Sequence, residues 1–165
     1  ITEDHRSFKM NPPLREMEDV EALRQGLKEG VMEAISTDHA PHSVEEKDVP
    51  MRKAAFGIVG LETSAALTYT ELVEGGVLTP MQMAERMSFA PAKILGLKDK
   101  GSVSEGKIAD LVVFDPSREY EIDTDTFFSK GKNTPFDGWK VKGDVKYTLV
   151  DGNVVYKNQA YEEQE

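Results

Sequence analysis

Ser36-Thr37-Asp38-His39-Ala40-Pro41-His42 sets one carboxylate and two imidazoles around a proline. A carboxylate so placed can take a proton from an attacking water and pass it to a leaving group, and an imidazole can shuttle protons or hold a polar substrate. The cluster directly follows the apolar run Val31 to Ile35. In parallel β/α barrels the chemistry sits at the carboxyl ends of strands, so a polar cluster just after a short apolar strand reads as catalytic. Asp38 is the leading candidate, and its other reading is a capping or hydrogen-bonded loop group. His39 and His42 are three apart, a spacing that suits a helix face, and Pro41 breaks a helix there, which disfavours a two-histidine metal pair. His39 reads as a packing or bracing residue, and His5 as solvated.

The elements around the cluster have local signatures. Val20, Leu23 and Leu27 share one helix face and Gly30 can cap it, which predicts a helix over Glu18 to Gly30 leading into a strand at Val31 to Thr37. Pro41 and Pro50 bracket a charged loop, Ser43 to Asp48, of the kind that lines an active site. Leu61 to Glu74 predicts a second helix that stops at Gly75-Gly76. Thr79-Pro80 opens a third, which Pro91 stops before one more turn at Ala92 to Leu95. Met81, Met83 and Met87 on that helix read as core. Beyond Gly101 the pattern turns to strands: Ile108 to Phe114, then Tyr147 to Val150 and Val154 to Tyr156 around an Asp151-Gly152 hairpin turn. Trp139 is expected to pack this β portion, and Tyr161 to Glu165 to fray.

These elements divide the chain into an α/β portion, residues 1–97, and a small β portion, residues 98–165. The 165 residues fall short of a complete eight-fold barrel, which takes roughly 250, and the chain starts at Ile1 within a polar stretch. It is therefore expected to be the carboxyl-terminal part of a longer protein. A net charge of −10 argues against nucleic acid and anionic membranes as partners, because both are polyanions. With no cysteine there is neither a disulfide framework nor a thiolate metal site, which suits a reducing compartment, and no secretory or membrane-spanning run occurs. The cytoplasm is the expected location.

Three ordered motifs carry a resemblance. Lys9-Met10-Asn11-Pro12-Pro13-Leu14-Arg15, Thr37-Asp38-His39-Ala40-Pro41-His42 and Phe56-Gly57-Ile58-Val59-Gly60-Leu61-Glu62-Thr63 resemble the carboxyl-terminal part of dihydroorotases, within the metal-dependent amidohydrolase superfamily. Gly106 to Asp115 is similar to the returning β-domain of that superfamily. The resemblance implies a fold class: the last part of a (β/α)8 barrel followed by strands of a small β-sandwich. It also implies one or two Zn2+ ions at the barrel mouth, a small-molecule substrate (dihydroorotate or carbamoyl aspartate), and a place in pyrimidine biosynthesis. It admits a homodimer or association with aspartate transcarbamoylase.

By the same resemblance Asp38 is both a metal ligand and the proton-transfer residue. Asn11 and His42 are substrate-binding, and Phe56 and Gly57 meet the substrate ring through main-chain groups. Taken without the resemblance, Asn11 also fits a turn before Pro12-Pro13, Phe56 fits a core, and Lys9 and Arg15 fit solvated charges. The family's remaining metal ligands, including a His-x-His pair, have no counterpart in this sequence. The chain alone is thus expected to be inactive, its other ligands lying outside it. Two further readings stand beside the enzyme: a cyclic amidase of the hydantoinase or allantoinase type, and a catalytically silent scaffold subunit.

Overall fold

The first apolar stripe forms a 13-residue helix, α1 (Met17–Glu29). Gly30 ends it at φ 79°, a left-handed conformation that glycine adopts without steric cost. Leu27 is buried on this helix, whereas Leu23 stays 51% exposed. A computed structural model describes residues 6–164, with side chains through Tyr161. His5 and the end of the acidic tail lie outside the described residues.

Val31 to Thr37 departs from expectation. It forms no ladder, Val31 is 76% exposed, and the Ile35 N–H is given to the Arg86 carbonyl at 3.1 Å. A strand exists only where a neighbouring strand takes its N–H and C=O groups, and the one sheet among the described residues is built from later segments. The expected active-site loop also differs, since Val44–Lys47 is a short helix, α2. Its start is a capping box in which Ser43 Oγ accepts the Glu46 N–H and the Glu46 carboxylate accepts the Ser43 N–H.

The second predicted helix is α3 (Ser64–Thr68), which widens into a π turn over Tyr69–Glu74 and ends at Gly75-Gly76. The third is α4 (Pro80–Ala84), with Thr79 as N-cap and Gln82 closing a capping box. Pro91 does not stop it. A π turn over Glu85–Phe89 leads straight into α5 (Ala90–Ile94), where Pro91 occupies the first turn; the wider register ends there, with the Ala90 N–H on the Glu85 carbonyl, and the helix continues past a residue that has no N–H to give. The methionines are not core: Met81 is 78% exposed, and Met83 and Met87 are half-buried.

The sheet has three strands in the order β1 (Leu111–Glu121), β2 (Lys140–Val150), β3 (Asn153–Lys157). β1 is an edge strand, which is how it tolerates Pro116 in its middle. β2 and β3 pair antiparallel with Val150 opposite Asn153. The turn residues Asp151 and Gly152 both have positive φ, 50° and 76°, as the favoured two-residue hairpin requires. Trp139 precedes β2 and packs edge-on against Phe136 at 5.1 Å while remaining 45% exposed.

The chain divides into two compact units: residues up to Ala22 with Ser36–Ser64 and Tyr120–Val141, and Leu23–Ile35 with Ala65–Glu119 and Lys142 onward. The second unit buries Leu27, Ala66, Tyr69, Leu78, Ala90 and Ala92. Tyr161 is buried there too rather than frayed: its hydroxyl donates to Asp115 Oδ2 at 3.1 Å, and Arg118 and Lys146 each lie 5.0 Å from its ring. Burial first, and the Asp144 charge second, push the Tyr161 phenol up to about 12. A folded-state pKa raised above the ordinary 10.0 means that the protonated phenol stabilises the fold fully below pH 10 and that this contribution is lost as pH climbs toward 12. Urea midpoints measured across that window should fall more steeply for the native protein than for Tyr161→Phe. Parallel curves would refute the assignment.

Candidate active site

All the predicted site residues lie in the first unit. Its organising line is the segment Gly57 to Val59, which exchanges main-chain bonds with three others. Gly57 N–H donates to the Lys9 carbonyl (3.0 Å), Val59 N–H to the Asn133 carbonyl (3.0 Å), and the Ile58 carbonyl accepts the Ala40 N–H (2.9 Å). The Lys9–Arg15 motif, at Lys9, the 37–42 motif and the 56–63 motif therefore meet although they are far apart in sequence.

Glycine permits this closeness. Gly57 has φ 115°, and a Cβ there would stand 2.5 Å from the Ala40 Cβ. A Cβ on Gly60 would stand 2.9 Å from the Thr37 Cβ. Both contacts are shorter than side-chain carbons adopt, so at these two positions the segment can pass the 37–42 loop only as bare backbone.

Asp38 is exposed and takes φ 46°, in the left-handed region that Asp and Asn enter most readily among non-glycine residues. His39 braces the loop from the other side. Its Nδ1 accepts the Gly60 N–H at 3.1 Å, with the Leu61 N–H at 3.5 Å, so the ring's proton is on Nε2. This fits the bracing role read from the sequence.

His42 is part-buried, and its Nε2–H donates to the Phe56 carbonyl at 2.8 Å. Its Nδ1 is 3.4 Å from Glu46 Oε2, an ion pair once the ring is protonated. The Ser43 N–H, and after it His42, hold the Glu46 carboxyl below its ordinary value. Three main-chain groups of Phe56 and Gly57 are thus engaged: the Phe56 carbonyl by His42, the Gly57 carbonyl by Lys47 and Asn133, and the Gly57 N–H by Lys9.

The Phe56 ring is 58% exposed, not core, and Lys9 Nζ lies 4.4 Å over it while donating to the Arg52 carbonyl at 3.0 Å. Lys9 is accordingly a held charge rather than a freely solvated one. Asn11 is exposed, two residues beyond the Lys9 carbonyl that anchors its segment, and Arg15 is exposed.

Two residues at the centre of this arrangement were not singled out from sequence. Lys47 is 5% exposed and donates to three carbonyls, those of Lys9, Ala55 and Gly57. Burial, then the Lys9 charge, holds it below the usual lysine range. Asn133 is 8% exposed; its Oδ1 accepts the His42 N–H at 3.0 Å, and its Nδ2 donates to the carbonyls of Ala40 (2.9 Å) and Gly57 (3.2 Å). The Ser43-x-x-Glu46 capping signature could have revealed α2 and with it Lys47. Nothing local marks Asn133, whose partners are 76 to 93 residues away. Replacing Asn133 with Ala strands buried main-chain groups, each worth about 1–3 kcal/mol, so a net loss of about 2–4 kcal/mol is expected from urea unfolding. A loss under about 0.5 kcal/mol, typical of an inert surface change, would contradict this account.

A catalytic zinc needs about three protein ligands. No group of three His, Asp or Glu side chains gathers among the described residues. Asp38 alone does not hold a metal.

The arrangement can be compared with known proteins. The sequence signature of the Amidohydrolase family matches residues 12–155. The chain is 51% identical over 149 residues to the dihydroorotase of Geobacter metallireducens and likewise to that of Thermoanaerobacter sp., covering 90% of this chain and 35% and 34% of those proteins. It spans about a third of the length of the curated relatives it matches. Among solved structures, the L-hydantoinase of Arthrobacter aurescens matches with TM-score 0.85 and 35% identity over 90% of this chain and 34% of its own. The dihydropyrimidinase of Brevibacillus agri matches with TM-score 0.86 and 29% identity over 93% and 34%.

Proposed function

Since the chain belongs to the amidohydrolase family, we propose that it is part of a dihydroorotase, the enzyme that interconverts (S)-dihydroorotate and N-carbamoyl-L-aspartate in pyrimidine biosynthesis. The observation that carries this reading is the high identity, 47–51%, to dihydroorotases along nine-tenths of the chain. The site geometry agrees with it, because the motif segments converge on Gly57 to Val59.

In this reading Asp38 is the catalytic residue. Its carboxylate takes a proton from the water that attacks the ring amide carbonyl, then returns it to the leaving nitrogen. The Asn11 amide binds the substrate carboxylate. His42 and Phe56, joined ring to carbonyl, form with Gly57 the wall against which the ring lies. Zinc, which amidohydrolase chemistry uses as a Lewis acid, would need ligands besides Asp38 that these residues do not provide.

Residues 1–97 would then complete a barrel and residues 98–165 a β-sandwich, in a cytoplasmic enzyme. Among the described residues no helix is long and apolar enough to cross a membrane.

Comparing kcat/KM of the full-length protein on (S)-dihydroorotate, hydantoin and allantoin tests the proposal. Dihydroorotate should be preferred by at least about a hundredfold, the discrimination that a few substrate-specific polar contacts supply. Preference for hydantoin or allantoin would assign it to the other cyclic amidases. No turnover of any of them by metal-replete protein would favour a scaffold subunit.

A further inference from the structure

Lys47 is held in an arrangement that stability alone does not require. A packed apolar side chain would avoid the cost of desolvating a charge, whereas this lysine keeps its ammonium buried and gives it to carbonyls. The three contacts, to Lys9 at 3.0 Å, Ala55 at 2.9 Å and Gly57 at 2.7 Å, match the three donors of an ammonium; a neutral amine has only two.

The carbonyls come from two separate segments. Lys9 leads to Asn11, and Ala55 and Gly57 flank Phe56. Further bonds tie the same groups together: Gly57 N–H to the Lys9 carbonyl at 3.0 Å, and Ala55 N–H to the Glu46 carbonyl of α2 at 3.1 Å. Lys47 therefore stands behind the two segments that meet the substrate and sets the distance between them.

Deepening the dihydroorotase reading, on which this rests, we propose that Lys47 is a positioning residue for substrate binding, holding Asn11 and the Phe56–Gly57 main chain at the separation that one small cyclic amide spans. It touches no substrate itself. It acts on binding rather than on proton transfer, because its ammonium bonds the carbonyls of Lys9, Ala55 and Gly57 and none in the loop of Asp38, where His39 is held by Gly60 and Leu61 instead.

The test uses the full-length enzyme and Lys47→Met, which keeps the apolar stem and removes the charge. KM for (S)-dihydroorotate should rise about tenfold to a hundredfold while kcat falls by less than about threefold, since a misplaced binding segment weakens ground state and transition state alike. An unchanged KM in folded Lys47→Met would overturn the proposal, and so would a fall in kcat at constant KM. Should that variant not fold, the native protein still decides the matter. With 15N-labelled lysine, the slowly exchanging buried ammonium should shift when orotate, the unsaturated ring analogue, is added to saturation, and a resonance that stays fixed overturns the proposal. Failure of the unsubstituted enzyme to turn over dihydroorotate is a different outcome: it strikes the functional reading, and this proposal with it.

Discussion

Asp38→Asn in the full-length enzyme should lower kcat for dihydroorotate by about 10²–10⁴-fold, the usual contribution of a positioned acid–base group, and leave KM nearly unchanged. Asparagine is the informative replacement because Asp38 sits at φ 46°, a conformation asparagine shares, and because the residue is exposed, so no core is disturbed. Alanine would add a backbone penalty of about 1–2 kcal/mol and blur the comparison. Equal unfolding midpoints for Asp38→Asn and the native enzyme would show that the loss is chemical. A kcat within about threefold of native would mean that the proton moves through another group.

Gly57→Ala should be the most destabilising single methyl in the first unit. The added Cβ meets the Ala40 Cβ at 2.5 Å, and φ 115° is closed to an L side chain. Backbone strain of about 1–3 kcal/mol and overpacking of about 1–3 kcal/mol together give a loss of about 2–6 kcal/mol. The two causes can be separated. Ala40→Gly combined with Gly57→Ala removes the collision and should recover the overpacking part, leaving the strain. A loss that is the same with and without Ala40→Gly would show that the close approach at 57 is not what limits the site. Because Gly57 also bonds Lys9, Lys47 and Asn133, even a folded Gly57→Ala protein should bind substrate more weakly.

What could be read from the sequence was what is decided locally. The α1 stripe with its Gly30 stop, the Thr79-Pro80 start and the Asp151-Gly152 turn depend on residues a few positions apart, and each stands as expected. Val31 to Thr37 fails as a strand for the opposite reason: apolar, β-branched residues set a preference, but a ladder needs partners, and none among the described residues pairs with it. Pro91 misled because a π turn re-registers the helix just ahead of it. Tyr161 looked like tail because its partners, Asp115, Arg118 and Lys146, lie in strands read separately from it.

In the site itself, residue types and order were enough to nominate Asp38, His42, Asn11, Phe56 and Gly57. They could not show that His42 spends its Nε2 on the Phe56 carbonyl, or that Lys47 and Asn133 gather the main chain around Gly57. Those contacts span 10 to 76 residues and leave no periodic trace. The buried lysine is the least expected of them, since its charge suggested only a polar loop.

The most direct test of the central claim is the approach to equilibrium from both sides with the full-length protein. Starting from (S)-dihydroorotate or from N-carbamoyl-L-aspartate, the two reactions should converge on one final ratio, leave the (R)-enantiomer untouched, and slow together in Asp38→Asn. Convergence of this kind would establish the reversible cyclic-amide chemistry assigned to this site. If neither compound is converted by metal-replete protein, or if Asp38→Asn converts them at the native rate, the account is wrong.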